Sequence, residues 1–124
     1  MIVGIGTDIV FIARISKALE RSGESFARRI LTEDELALFQ ARKNAVAYLA
    51  SRFAGKEAAA KALGTGIGKV SFQDLEIRSL KTGAPQLVFY GEALRLQRER
   101  GITRLHISLS DEREFAQAFV ILEG

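Results

Sequence analysis

Residues 52–66 read RFAGKEAAAKALGTG. Alanine is the best helix former because it surrenders no side-chain freedom on entering a helix. The spacing predicts one long helix from Ala45 to about Leu63, with Asn44 as its candidate cap. Tyr48, Leu49, Arg52, Phe53, Lys56, Ala59 and Ala60 run along it, and it is the longest helix the sequence contains. Gly64 ends it, and Gly66 and Gly68 keep the following loop pliable. Three charges, Lys56, Glu57 and Lys61, break a stretch that is otherwise mostly small and apolar. A Glu–Lys pair at the spacing of Glu57 and Lys61 is a common surface device worth roughly 0.2–0.5 kcal/mol. The surrounding Ala54, Gly55, Ala58, Ala59, Ala60 and Ala62 let another backbone or a ligand come close, so surface decoration does not settle the matter.

Upstream, IVGIGT (2–7) is short, apolar and β-branched between glycines, which reads as a strand. From Ile9 the pattern turns helical: Ile9, Ile12, Ala13, Ile15 and Leu19 fall near one face, with Gly23 as C-cap. Thr32 followed by Glu35 is a capping-box pattern, so another helix starts at about Glu33 and buries Leu36, Leu38 and Phe39. Downstream the period falls to two. VSFQDLEIRSL (70–80) and QLVFY (86–90) form a hairpin across KTGAP, which holds Gly83 and the only proline, Pro85. GEALRLQRERG is a short helix ended by Gly101, and RLHISLS and FAQAFVILE close the chain as a second hairpin across SDERE. Helices and hairpins segregate, which predicts a single α+β domain over 1–124 with helices packed on an antiparallel sheet.

A chain of 124 residues, 48% hydrophobic and 27% charged, buries a real core without disulfides. It has no cysteine, which rules out a cysteine–zinc site and fits a reducing compartment. MIVGIGTDIV lacks a basic flank and a cleavage site and meets Asp8, so neither a signal peptide nor a membrane span is expected, and the expected location is cytoplasmic. The net charge of +3 is a modest excess. Nucleic-acid binders carry denser basic stripes with aromatics for stacking, so a basic patch for an acidic partner is the better inference.

GIGTDIV fails as a dinucleotide fingerprint, because Ile9 stands where the third glycine belongs. Asp8 reads either as a helix N-cap or as a carboxylate at a strand end, where ligands commonly bind. One carboxylate from each of two distant segments, Asp8 and Glu57, is what magnesium takes beside water and substrate phosphates. A lysine beside them would serve as a point charge for phosphate, an arrangement suited to phosphoryl transfer. On a strand, His106, Ser108 and Ser110 share a face, either as a wet edge or, for the single histidine, as a phosphate or proton contact. Arg14, Arg21, Arg28 and Arg29 are either a solvated face or a docking patch for an acidic partner.

Taken together, GIGTDIVFIARI, RFAGKEAAAKALGTGIG and HISLSDEREFAQAFVILEG resemble the bacterial holo-acyl-carrier-protein synthase family of 4′-phosphopantetheinyl transferases. FARRIL and TGAPQLVFYGEAL fit as well, so the resemblance spans essentially the whole chain. It implies transfer of the phosphopantetheine arm of coenzyme A to a serine of apo acyl carrier protein, with adenosine 3′,5′-bisphosphate leaving. It implies magnesium on Asp8 and Glu57, with Lys61 neutralising phosphate. Arg52, Lys56, Gly64, Gly66, Pro85 and His106 match positions near the coenzyme, Pro85 beside its adenine. Arg14 matches a carrier-docking position, extended by Arg21, Arg28 and Arg29. The resemblance also implies a homotrimer with active sites between subunits. The motif leaves the general base open between Glu57 and a metal-bound water. The alternative is a module that binds coenzyme A or a carrier protein without catalysis, for which a metal pair would be superfluous.

Overall fold

The computed structural model describes Met1–Gly124. In chain order it contains β1 (Ile2–Phe11), α1 (Ile12–Ser22), α2 (Glu24–Ile30), α3 (Glu33–Ala41) and α4 (Ala45–Ala62). A single turn of 3₁₀ helix (Phe72–Asp74) leads into β2 (Leu75–Ser79) and β3 (Pro85–Phe89), followed by α5 (Gly91–Glu99), β4 (Arg104–Asp111) and β5 (Phe115–Glu123). β1, β5 and β4 form one antiparallel sheet in that order, and β2 and β3 form a separate hairpin. This is the expected α+β architecture.

The long helix is where alanine content placed it, and it crosses one face of the three-stranded sheet. Gly4 and Gly6 permit that crossing. A Cβ on Gly6 would collide with the Ala58 carbonyl oxygen and lie 2.7 Å from the Ala62 nitrogen; one on Gly4 would strike the Ala62 carbonyl. The inner face of the sheet (Val10, Ala116, Ala118, Val120 and Leu122) is buried together with Ala54, Ala58, Ala59 and Ala62 of α4. The outer face carries Ile5, Ile9, Phe11, Phe115 and Phe119, all exposed.

The first strand runs further than expected. It pairs with β5 as far as Phe11↔Phe115, so the helix begins at Ile12 and not at Ile9. Ile9 is exposed while Val10 is buried, which is strand alternation, and both are β-branched residues that favour a pleated surface. Asp8 therefore lies inside a strand and caps no helix. The seven residues of α2 are too few to print a readable period on FARRIL. Asn44 stands at the start of α4, but its side chain makes no capping bond. Thr32 and Glu35 do form the complete capping box. The hairpin opens later than expected, because 72–74 coil into the 3₁₀ turn; Leu75, Glu76 and Ile77 are then all buried, without alternation. The glycines at the expected stops, Gly23 (φ 61°), Gly83 (φ 90°) and Gly101 (φ 65°), all adopt the left-handed backbone that side chains disfavour.

Candidate active site

β1 alternates, so Gly6, Asp8 and Val10 point to the same side, toward α4. On α4, Glu57 and Lys61 are one turn apart and share a face. The glycine-permitted crossing brings the two together. Lys61 Nζ lies 3.0 Å from Asp8 Oδ1 and 3.1 Å from the Thr7 carbonyl oxygen. The Asp8 side chain is mostly buried and that of Lys61 half exposed. Burial holds the Glu57 carboxyl above the usual carboxylate range, and the Asp8 charge pushes it the same way; Lys61 and Arg14 pull against them. The sequence-predicted trio thus converges, with Arg14 of α1 at its rim.

Two carboxylates that repel one another under partial burial suit a divalent cation. The donors are hard oxygens, as magnesium prefers. No three histidines, aspartates or glutamates cluster anywhere in the chain, so a cation on Asp8 and Glu57 would complete its shell from water and substrate.

A concavity of about 360 Å³ lies on the other side of α4, between the hairpin turn and the end of β4. Arg52 and Pro85, both expected near the coenzyme, line it together with Arg42, Tyr48, Ser79 and Asp111. The guanidinium carbons of Arg42 and Arg52 lie 4.5 and 4.2 Å from the Tyr48 ring centre. Arg52 donates to Ser51 and Ser79, while its Nε and the Tyr48 hydroxyl are buried without a well-formed hydrogen bond. Sequence reading missed Arg42, Ser79 and Asp111, because they reach the cleft from three separate elements. Its one local signal was the Tyr48–Arg52 spacing.

Lys56 is a correction. Its side chain is fully buried and lines neither site, with Nζ 2.6 Å from Glu35 Oε1 and 2.6 Å from the Ile30 carbonyl oxygen. Its ammonium is spent inside the protein and does not face a coenzyme. Gly64 and Gly66, whose turn is expected to approach the coenzyme phosphates, carry backbone amides that are already paired. Their amides, and that of Thr65, donate back to the carbonyls of Lys61 and Ala60, so the turn closes α4 and offers phosphate no free N–H. A helix C-terminus is in any case the negative end of the helix dipole. What the two glycines leave is open space, since a Cβ on either would meet nothing within 4 Å.

His106 lies on the outer face of the sheet, opposite Asp8, and its Nε2 is 3.0 Å from Glu123 Oε1. Within one chain it does not join the trio. Ser108 and Ser110 are exposed on the same side of β4. Arg14 and Arg21 on α1, and Arg28 and Arg29 on α2, are all exposed; Arg28 pairs loosely with Glu24 at 3.5 Å.

Residues 4–120 match the model of the 4′-phosphopantetheinyl transferase superfamily. A holo-[acyl-carrier-protein] synthase from Vibrio cholerae is 55% identical, across 99% of this chain and 98% of the relative. The crystal structure of the Neisseria meningitidis holo-[acyl-carrier-protein] synthase superposes with a TM-score of 0.92 at 49% identity, covering 100% of both chains. A Bacillus anthracis holo-(acyl-carrier-protein) synthase in complex with CoA (3′,5′-ADP) matches with a TM-score of 0.84 at 44% identity, over 99% of this chain and 97% of that one. Sequence, architecture and the converging Asp8, Glu57 and Lys61 agree, and the chain belongs to the 4′-phosphopantetheinyl transferase superfamily.

Proposed function

We propose that the chain transfers the 4′-phosphopantetheine group of coenzyme A to a serine of apo acyl carrier protein, releasing adenosine 3′,5′-bisphosphate. The observation that carries this reading is the meeting of Asp8 with Glu57 and Lys61 across the β1–α4 crossing, in a member of this superfamily. The serine oxygen attacks the β-phosphorus of coenzyme A, and the bond from that phosphorus to the bridging pyrophosphate oxygen breaks. Asp8 and Glu57 would hold magnesium, whose chemistry is to neutralise the pyrophosphate as charge shifts onto the leaving group. Lys61 is half exposed and can exchange its contact with Asp8 for a phosphate oxygen. Arg42, Arg52 and the Tyr48 ring supply two guanidiniums and an aromatic edge, chemistry suited to a phosphorylated nucleoside, with Pro85 as an apolar wall. Gly64 and Gly66 keep the surface beyond α4 open.

The outer sheet face supports the expected homotrimer. Ile5, Ile9, Phe11, Phe115 and Phe119 form an exposed apolar surface on adjacent strands, of the kind that marks a protein contact. His106 lies on that same face, which fits a contribution to a neighbouring subunit's site. The arginines of α1 and α2 would receive the acidic carrier. No helix is long and apolar enough to cross a membrane, and the cytoplasm remains the proposed compartment. The test is product analysis: adenosine 3′,5′-bisphosphate should appear one-for-one with modified carrier. Coenzyme A binding without its release would leave the chain a binding module.

A further inference from the structure

Lys56 and Glu35 form an ion pair with almost no exposure, outside both sites just described. Burying two charges is expensive, and well-packed apolar residues often serve stability as well or better. The pair calls for a reason other than stability, and the composition of α4 supplies one. Tyr48, Leu49 and Phe53 lie in the first half of α4, whereas Ala54, Gly55, Ala58, Ala59, Ala60 and Ala62 leave its second half, which carries Glu57 and Lys61, with few projections to choose one rotation about its axis. Close-packed shape normally fixes such a choice, and small side chains carry little of it. Rotation decides function here, because successive residues on a helix are separated by about 100°. Glu57 faces β1 only while Lys56, about 100° further round the helix, faces α2 and α3.

Lys56 is tied on that side by partners from several elements. Its ammonium binds Glu35 of α3 and the Ile30 carbonyl at the end of α2. Glu35 is in turn fixed by the Thr32 amide at 2.9 Å and the Ile77 amide of β2 at 2.7 Å. Each contact has a directed geometry that a sliding or turning helix would break. We propose that Lys56 and Glu35 are positioning residues: their buried pair sets the rotation of α4 and so holds Glu57 and Lys61 against Asp8. The proposal rests on the reading of Asp8, Glu57 and Lys61 as the reaction site. Buried polar pairs specify register in other helical assemblies, and this one would do so between a helix and a sheet.

The test pairs the double variant Lys56→Met/Glu35→Gln, which removes both charges at similar volume, with the milder Glu35→Gln. Folding is checked by circular dichroism and thermal melting. Two readouts then follow: kcat, and the increase in melting temperature that magnesium alone produces. The expected result is that a folded variant loses at least tenfold in kcat and most of the magnesium-dependent increase, with the KM for carrier protein unchanged. A folded double or single variant that keeps native kcat and the native magnesium response overturns the proposal. If the double variant does not fold, Glu35→Gln decides by the same two readouts. If both unfold, the pair is a stability element and the proposal is also overturned. Asp8→Asn runs beside them. Native turnover in Asp8→Asn would sink the site reading itself, while an inactive Asp8→Asn beside an active double variant would sink only the positioning role.

Discussion

Lys61 Nζ, on the last turn of α4, sits 3.0 Å from Asp8 Oδ1 in the middle of β1. Fifty-three positions of chain separate the two residues, and they meet because β1 has no side chain where the helix passes over it. The meeting of Asp8 and Lys61 is thus a consequence of two glycines.

Asp8→Asn keeps the volume and removes the charge. It should lower kcat by about 100-fold or more, the scale of losing one preorganised electrostatic group, while the melting temperature stays near native. Steady-state kinetics with saturating magnesium checks this, and near-native kcat would remove Asp8 from the site.

Glu57 carries a built-in pH dependence. Its folded-state proton affinity is raised, so its contribution to stability is full below the unfolded value, 4.5, and is lost as pH rises through the folded value. At neutral pH an ionised Glu57 therefore weakens the metal-free fold. Glu57→Gln in EDTA should melt above the parent at pH 7.5, with the gap closing toward pH 4.5, and should be inactive. Thermal melts across that range check the sign.

Gly6→Ala places a methyl group into the Ala58 carbonyl. Overpacking of this kind costs about 1–3 kcal/mol, and here it also pushes Asp8 away from Lys61. Both stability and kcat should fall, whereas Gly64→Ala, in open space but at φ 77°, should cost stability through its backbone alone. Urea titration and kinetics on the two variants separate the effects.

Arg21 offers the cleanest test of carrier docking, since Arg14 lies close enough to Glu57 to disturb it. Arg21→Glu should raise the KM for carrier protein by about tenfold, equivalent to ~1.4 kcal/mol, and leave that for coenzyme A unchanged. The effect should shrink as salt screens the encounter.

Phe119 lies near the middle of the outer apolar face. If the proposed trimer forms through this face, Phe119→Glu should leave a folded single chain in sedimentation while the parent sediments as a trimer, with activity lost alongside assembly.

Much of this was legible in local pattern. The Thr32–Glu35 box, the alanine-rich helix with its glycine stop and the closing hairpin lie where the sequence puts them; the first hairpin opens later, and Asp8 meets Lys61 from inside β1 instead of from its end. What local pattern does not carry is direction. Lys56 and Glu57 are neighbours in the chain, yet one faces the core and the other the site; only the partners packed around α4 decide that. Ile9 looked helical because its spacing to Ile12 fits one helical face, but pairing with Gln117 across β5 overrode it. The Arg42, Ser79 and Asp111 side of the cleft beside Arg52 converges from distant elements, and no spacing announces it. His106 was noticed as the single histidine, but which sheet face it took depended on register.

The most direct measurement is the intact mass of apo acyl carrier protein after incubation with this chain, coenzyme A and magnesium. A transferase adds the mass of one phosphopantetheine group to the carrier, and EDTA or Asp8→Asn abolishes the gain. A carrier of unchanged mass, under conditions where coenzyme A is bound, would contradict the assignment.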